Sequence, residues 1–265
     1  MKRFCFTVDD NIRFLRELTE GQYESMLDHP YLAMYRRLHA AYGIKVQLNL
    51  FYQMTGFDLS CVTDRYREDW QRNADWLRLS FHSRRENVTP YAHSDYTEVA
   101  ADCEAVHRQI LRFAGKDALA RTTTVHYCCT TGDGVRALWD HGVIGLLGLY
   151  GTTEAPRTSY DVSPAEGNRI RNGEVITHNG MAHGGINLIV NRHTKEESLL
   201  RLETLTDRPL VKLMIHEQYF YPDYPRYQAD FEEKLAACFA LLRDRGFSSV
   251  FFESCLDNEP DKTTL

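Results

Sequence analysis

Four short stretches of this chain end in side chains that could do chemistry: Asp9-Asp10, His82, His126 and His216-Glu217. Asp9 and Asp10 follow an apolar, β-branched and aromatic run, Phe4-Cys5-Phe6-Thr7-Val8, that reads as a buried strand. Two adjacent carboxylates do not fit inside such a strand, because an unpaired buried charge is costly. They belong where the strand leaves the core and a metal ion or a histidine can balance them. Taken alone, Asp-Asp before Asn11 reads better as a turn or helix cap. The three histidines change that reading, since each also closes an apolar run. Imidazole and carboxylate groups around a divalent ion, with one position open to water, form the usual hydrolytic arrangement. A further carboxylate then serves as base, and a histidine across the site as acid. The sequence offers Asp10 and histidines as ligands, Asp9 as base and His216 as acid.

These residues need elements that bring them together. After the first strand, further strands are read over 44–52, 77–82, 122–127, 143–150, 186–191, 210–216 and 248–253. Helices over 11–18, from Pro30 to a stop at Gly43, and over 64–76, 96–113, 134–141, 196–206 and 227–245 alternate with them. The clearest is 96–113, where Val99, Cys103, Val106, Ile110 and Phe113 form one apolar stripe. Polar residues two apart share a strand face: Gln47 with Asn49, Arg78 with Ser80 and His82, Thr122 with Thr124 and His126. Alternating strands and helices imply a parallel sheet. Seven or eight such units without a linker imply an α/β fold closed into a (β/α) barrel. An open doubly wound sheet would need a glycine-rich phosphate turn after its first strand; this chain has Asp-Asp-Asn there.

In a parallel barrel the reactive residues gather at the carboxyl ends of the strands, so the four stretches would converge on one mouth. Periodicity is lost over 152–185, an irregular insertion with room for a hairpin in a single domain over 1–265. His183 lies in that insertion and could cover the mouth. His29, His39, His107, His141, His178 and His193 read as surface or packing residues.

The composition, 43% hydrophobic and 26% charged, is that of a chain with a sizeable core and argues against disorder. No apolar run is long enough to span a bilayer, and Asp9-Asp10 come too early for a secretory signal. The net charge of −6, without a Lys/Arg block, argues against nucleic acid or an anionic membrane as partner. Seven cysteines, an odd number with no Cys-x-x-Cys spacing, read as reduced thiols in a cytoplasmic protein. The oligomeric state leaves no signature in the sequence.

Thr7-Val8-Asp9-Asp10-Asn11 resembles the first motif, Thr-Phe-Asp-Asp-Gly, of the polysaccharide deacetylase or NodB-like (carbohydrate esterase family 4-like) superfamily of metal-dependent hydrolases. Leu213-Met214-Ile215-His216 resembles its late Leu-x-x-His motif. Leu79-Ser80-Phe81-His82-Ser83 is similar to the start of its His-Ser/Thr metal motif. The resemblance covers most of the chain. It implies a distorted barrel of about seven parallel strands and a divalent ion, zinc first, with manganese, cobalt or nickel as alternatives. It also implies hydrolysis of an acyl amide (a carbon–nitrogen bond other than peptide) or ester on a carbohydrate or small molecule. By resemblance, Asp9 is the base, Asp10 and His82 bind the ion, and His216 protonates the leaving group.

The chain also departs from that pattern. One helical turn after His82 stands Glu86, so the third ligand is either His93, on a loop, or His126, at a strand end. The strand end is preferred, because the barrel fixes it. The family's Arg- and Pro-bearing middle motif is not recognisable, which marks a divergent branch. The alternative is a catalytically altered barrel of the same fold that binds carbohydrate without turning it over.

Overall fold

Strand β1 (Lys2–Asn11) is the axis of the computed structural model, which describes residues 1–86, 91–151 and 159–256. Phe4 and Phe6 on one face of β1 pack on Phe239, with ring centroids 5.8 and 5.1 Å apart. The pleat then places Cys5, Thr7 and Asp9 on the opposite face. After β1 come α1 (Arg13–Glu20), α2 (Pro30–Tyr42), β2 (Val46–Met54), β3 (Phe57–Asp58), α3 (Arg67–Arg72) and β4 (Leu77–Arg85). Next are α4 (Tyr96–Phe113), β5 (Thr122–Thr123), α5 (Gly132–Asp140), β6 (Gly145–Gly148) and α6 (Pro164–Arg171). The chain continues through β7 (Val175–His178), β8 (Met181–Gly185), β9 (Leu188–Ile189), α7 (Lys195–Glu203), β10 (Leu210–His216), α8 (Phe231–Asp244) and β11 (Phe247–Ser249).

Helix α4 has the bounds its apolar stripe predicts, and the Asp95 side chain caps it by accepting the Glu98 N–H at 2.9 Å. Helix α2 starts with Pro30 and stops at Gly43, whose φ of 64° suits a residue without Cβ. Trp70 and Trp76 are buried, and the cysteines form no disulfide among the described residues. Among the described residues, no helix is long and apolar enough to cross a membrane.

The strands form a mixed α/β architecture rich in parallel pairings. One sheet runs β3-β2-β1-β10-β9, with β4 pairing β2 and β11 pairing β1; the other runs β5-β6-β8-β7. Among the described residues, only β2/β3 and β7/β8 pair antiparallel. The sequence predicts one barrel of about seven strands. The structure instead divides its strands between two sheets, with no continuous main-chain ladder closing them among the described residues. Along the β4/β5 seam, side chains take over: the hydroxyls of Ser80 and Thr123 donate to the carbonyls of Thr122 and Phe81. The strand predicted over 122–127 shrinks to Thr122–Thr123. Tyr127 and Cys128, at φ 59° and 54°, then turn the chain through Val125–Cys128. The irregular insertion holds α6 and the β7/β8 hairpin; its residues 152–158 lie outside the described residues.

Candidate metal centre and cleft

Two β-bulges build this site. Between β1 and β2 the register passes from Val8↔Leu48 to Asn11↔Leu50, so Asp9 and Asp10 together oppose Asn49. Between β2 and β4 it passes from Leu50↔Phe81 to Phe51↔Ser83, so His82 is the extra residue. A bulge bends the strand and re-aims a side chain. Asp10 adopts φ 64°, a left-handed conformation that Asp tolerates better than most residues. In a regular strand, adjacent Asp9 and Asp10 would point to opposite faces; here both carboxylates reach one cleft. Asn11 pins the first bulge, its amide donating to Val8 O at 2.6 Å and Asn49 O at 3.1 Å while its Oδ1 accepts from Tyr31 OH at 2.8 Å.

Three ligand-type atoms meet there. Asp10 Oδ1 lies 3.0 Å from His82 Nε2 and 3.3 Å from His126 Nδ1, and the two nitrogens are 3.2 Å apart. An ion held at about 2.0–2.1 Å needs ligand separations of roughly 3.3 Å if tetrahedral and about 2.9 Å if octahedral. The observed triangle spans that interval, so the donor set fits a divalent ion. His82 Nδ1 faces Thr124 O at 2.5 Å, which turns Nε2 toward the centre. Gln218 donates to the free Asp10 oxygen at 2.7 Å. Burial resists the charge on Asp10, but hydrogen bonds from His126 and His82 outweigh it and hold the carboxyl well below its usual range. Burial also works against charge on His82, yet Asp9 and Asp10 raise its imidazole. Burial lowers His126, which stays neutral.

A relay of amides leads to Asp9. Thr122 Oγ1 donates to Gln47 Oε1, Gln47 Nε2 to Asn49 Oδ1, and Asn49 Nδ2 to Asp9 Oδ1 at 2.6 Å. Burial raises Asp9 to about 6, against the pull of His82. Opposite Asp9 in the β1/β10 register stands His216. Its Nδ1 is 2.9 Å from the Oδ1 of Asn191, in the turn after β9, and among the described residues Nε2 has no hydrogen-bond partner. Burial lowers the His216 imidazole. The cleft containing Asp9, Asp10, His82, His126 and His216 has a volume of about 570 Å³. Past Asp10, Glu86 and Gln218 it continues into a 230 Å³ groove lined by Phe51, Met54 and Tyr224.

The structure thus gathers Asp9, Asp10, His82, His126 and His216. His93 is exposed in the turn before α4 and is not in the cluster. His126 stands on a turn, not at the strand end predicted for it, and the Tyr127 ring packs against it at a 58° tilt with centroids 4.2 Å apart. His183 does not cover the mouth: it is fully buried, with Nδ1 3.0 Å from Tyr150 OH. Glu217 is not a ligand either; its carboxylate accepts the N–H groups of Ile12, Arg13 and Phe14 at 2.7–3.1 Å and caps α1. Asn191 was missed, because nothing in the sequence places it beside His216.

No family model matches the sequence, and no curated protein matches it. Solved structures do match the fold. A family 4 acetyl xylan esterase from Clostridium thermocellum, in complex with a cobalt ion, superposes with a TM-score of 0.51 at 13% identity, over 96% of this chain and 89% of that one. The Bc1960 peptidoglycan N-acetylglucosamine deacetylase gives 0.51 at 10% identity, over 98% and 90%. The chain has the NodB-like fold. A 4-α-glucanotransferase from Thermococcus litoralis also superposes, with a TM-score of 0.61 at 13% identity, over 98% of this chain and 41% of that one. The NodB-like fold therefore accommodates more than one chemistry among these neighbours, and the site must decide between them.

Proposed function

We propose that this protein is a metal-dependent hydrolase of the polysaccharide deacetylase type, removing an acyl group from a carbohydrate or small molecule by cleaving an amide or ester. The observation that carries the reading is the Asp10–His82–His126 triangle in the same cleft as Asp9 and His216. His126 provides the ligand that the Glu86 position withholds, which disfavours a barrel that only binds sugar. A divalent ion held by Asp10, His82 and His126, zinc first and manganese, cobalt or nickel as alternatives, would supply a Lewis acid for the acyl carbonyl and acidify water. Asp9, ionised above about 6, takes a proton from the attacking water. His216, oriented by Asn191, gives a proton to the leaving nitrogen or oxygen. The groove beyond Asp10 leaves room for an extended substrate. We also propose a cytoplasmic location, from cysteines that form no disulfide among the described residues.

The test is elemental analysis before and after chelation, together with acetate release from N- and O-acetylated sugars. One divalent ion per chain, and turnover lost on chelation and restored by metal, support the reading. A protein that holds no ion, or whose Asp10→Ala variant matches the parent in both measurements, defeats it.

A further inference from the structure

Two guanidiniums on the cleft wall have no part in the chemistry just described. Arg192 ends the turn Val190–Arg192 that follows β9, and Arg226 lies in the segment before α8; both line the cleft with Asp10 and His216. Both are exposed, and among the described residues neither forms an ion pair or hydrogen bond. By contrast, Arg13 and Arg84 on nearby segments are committed to Asp223 and Asp102.

The backbone beneath Arg192 and Arg226 is fixed. Gln228 Nε2 donates to Asn191 O at 2.8 Å. The buried Lys234 ammonium donates to His193 O at 2.9 Å and to Gln228 Oε1 at 2.8 Å. Two segments far apart in sequence are therefore tied side by side, each presenting one unpaired guanidinium to the same space. Holding such groups in place before a ligand arrives lowers the cost of binding it. The carboxylates facing them are Asp9, Asp10 and Glu86. A divalent ion at the triad offsets two of those charges, and the cleft then favours an anion.

We propose that Arg192 and Arg226 form a subsite for an anionic group on the substrate, so that the preferred substrate is an acylated sugar acid or an acylated sugar phosphate. The proposal rests on the metal-dependent reading for the position of the acyl group and for the charge balance of the cleft. Arginine suits this role, because its planar donors match carboxylate and phosphate oxygens in pairs.

Three probes that differ only at C6 test it: N-acetylglucosamine, N-acetylglucosaminuronic acid and N-acetylglucosamine 6-phosphate. Dissociation constants are measured by ligand-observed NMR on the full chain, zinc-loaded and chelated. At least one acidic sugar is expected to bind about ten- to a hundredfold tighter than the neutral one to the zinc-loaded protein. The advantage shrinks as salt screens the charges. In the Arg192→Gln/Arg226→Gln double variant it falls below about twofold. Whichever acid binds tighter identifies the anion as carboxylate or phosphate. The proposal is overturned if the neutral sugar binds as tightly as both acids, if none of the three binds, or if the double variant keeps the advantage. An arginine-dependent advantage in a protein that releases no acetate would leave the anion subsite standing and sink the hydrolase; acetate release with no such advantage would do the reverse.

Discussion

Asp10 Oδ1 reaches 3.0 Å from His82 Nε2 because each residue sits in a β-bulge, one within the β1/β2 ladder and the other within the β2/β4 ladder. The candidate centre is a product of two local register errors, and it depends on what holds them. Asn11 holds the first, by donating to both carbonyls that the bulge releases. Asn11→Ala leaves those buried carbonyls and the Tyr31 hydroxyl short of partners, at a cost of about 1–3 kcal/mol. Urea unfolding is expected to show that loss. Zinc affinity should fall roughly 10–100-fold although no ligand has been touched. Unchanged zinc affinity would mean that the bulge holds its shape without Asn11.

The fold's outline was legible where one pattern decided the outcome. The stripe on α4 gave its bounds, and the β-branched and aromatic runs gave β1 and β10. The alternating polar residues Gln47, Asn49, Ser80 and Thr122 were visible as shared faces; the structure shows them as the hydrogen-bonded lining between the sheets and beneath Asp9. What the sequence hid is backbone geometry. A two-residue periodicity carries no mark of a bulge, so the convergence of Asp9 and Asp10 looked like a strand end. The run Thr122-Thr123-Thr124-Val125 has strand propensity, but left-handed Tyr127 and Cys128 turn the chain and put His126 on a corner. The Asn191–His216 pair joins the turn after β9 to the end of β10, 25 residues apart, a contact that no local pattern encodes.

Asp9 and His216 face each other across the β1/β10 ladder and are not in the ligand triangle. Removing either should therefore separate catalysis from metal binding. Asp9→Asn keeps the hydrogen bond from Asn49 available after an amide flip but cannot accept a proton. Turnover is expected to fall by about 10²–10⁴ for this variant, and similarly for His216→Ala. Both proteins should still carry one ion per chain by elemental analysis. Loss of the ion in Asp9→Asn would make Asp9 a ligand and remove it as the base.

Metal binding should release a proton from His82, in a proportion that grows as the pH falls through its raised value. Without an ion, a proton on His82 bridges to Asp10, and His82 is held above the ordinary imidazole value. His126 is held below that value and is already neutral, and Asp10 is already ionised. Only His82 has a proton to give up. Affinity should therefore weaken as the pH falls through the raised His82 value, and level off above it. Calorimetric titration with zinc in buffers of different ionisation enthalpy counts the protons. A count near zero would show that His82 is not displaced by the ion.

Glu217 tests whether the cleft and the first helix are one unit. Helix α1 has no cap from its own N-cap residue, Ile12. The Glu217 carboxylate, from the turn after β10, accepts the Ile12, Arg13 and Phe14 N–H groups instead. Glu217→Ala strips two buried donors and one half-buried donor of their acceptor and is expected to cost about 2–4 kcal/mol, above the range of a single cap. Glu217→Gln keeps one acceptor oxygen and should lose about half as much. Denaturant midpoints of the three proteins give the order. If the alanine variant is as stable as the parent, the cap is dispensable.

Asn191 decides what kind of acid His216 can be. A carboxylate in its place would hold the imidazolium; the neutral amide accepts the Nδ1–H at 2.9 Å without stabilising charge to the same extent. Burial then leaves His216 below the ordinary imidazole range. For kcat/KM, the acid limb follows ionisation of Asp9 at about 6, and the alkaline limb follows loss of the proton from His216. With Asp9 raised and His216 lowered, the two limbs are drawn toward each other, and the optimum is expected on the acid side of neutral. Asn191→Asp puts a negative charge against Nδ1 and should move the alkaline limb upward by about one unit or more, leaving the acid limb in place. Asn191→Ala removes the orienting acceptor, so it should lower kcat without that upward shift. An alkaline limb that stays put in Asn191→Asp, in a protein that remains folded and metal-loaded, would mean that His216 is not the group delivering the proton.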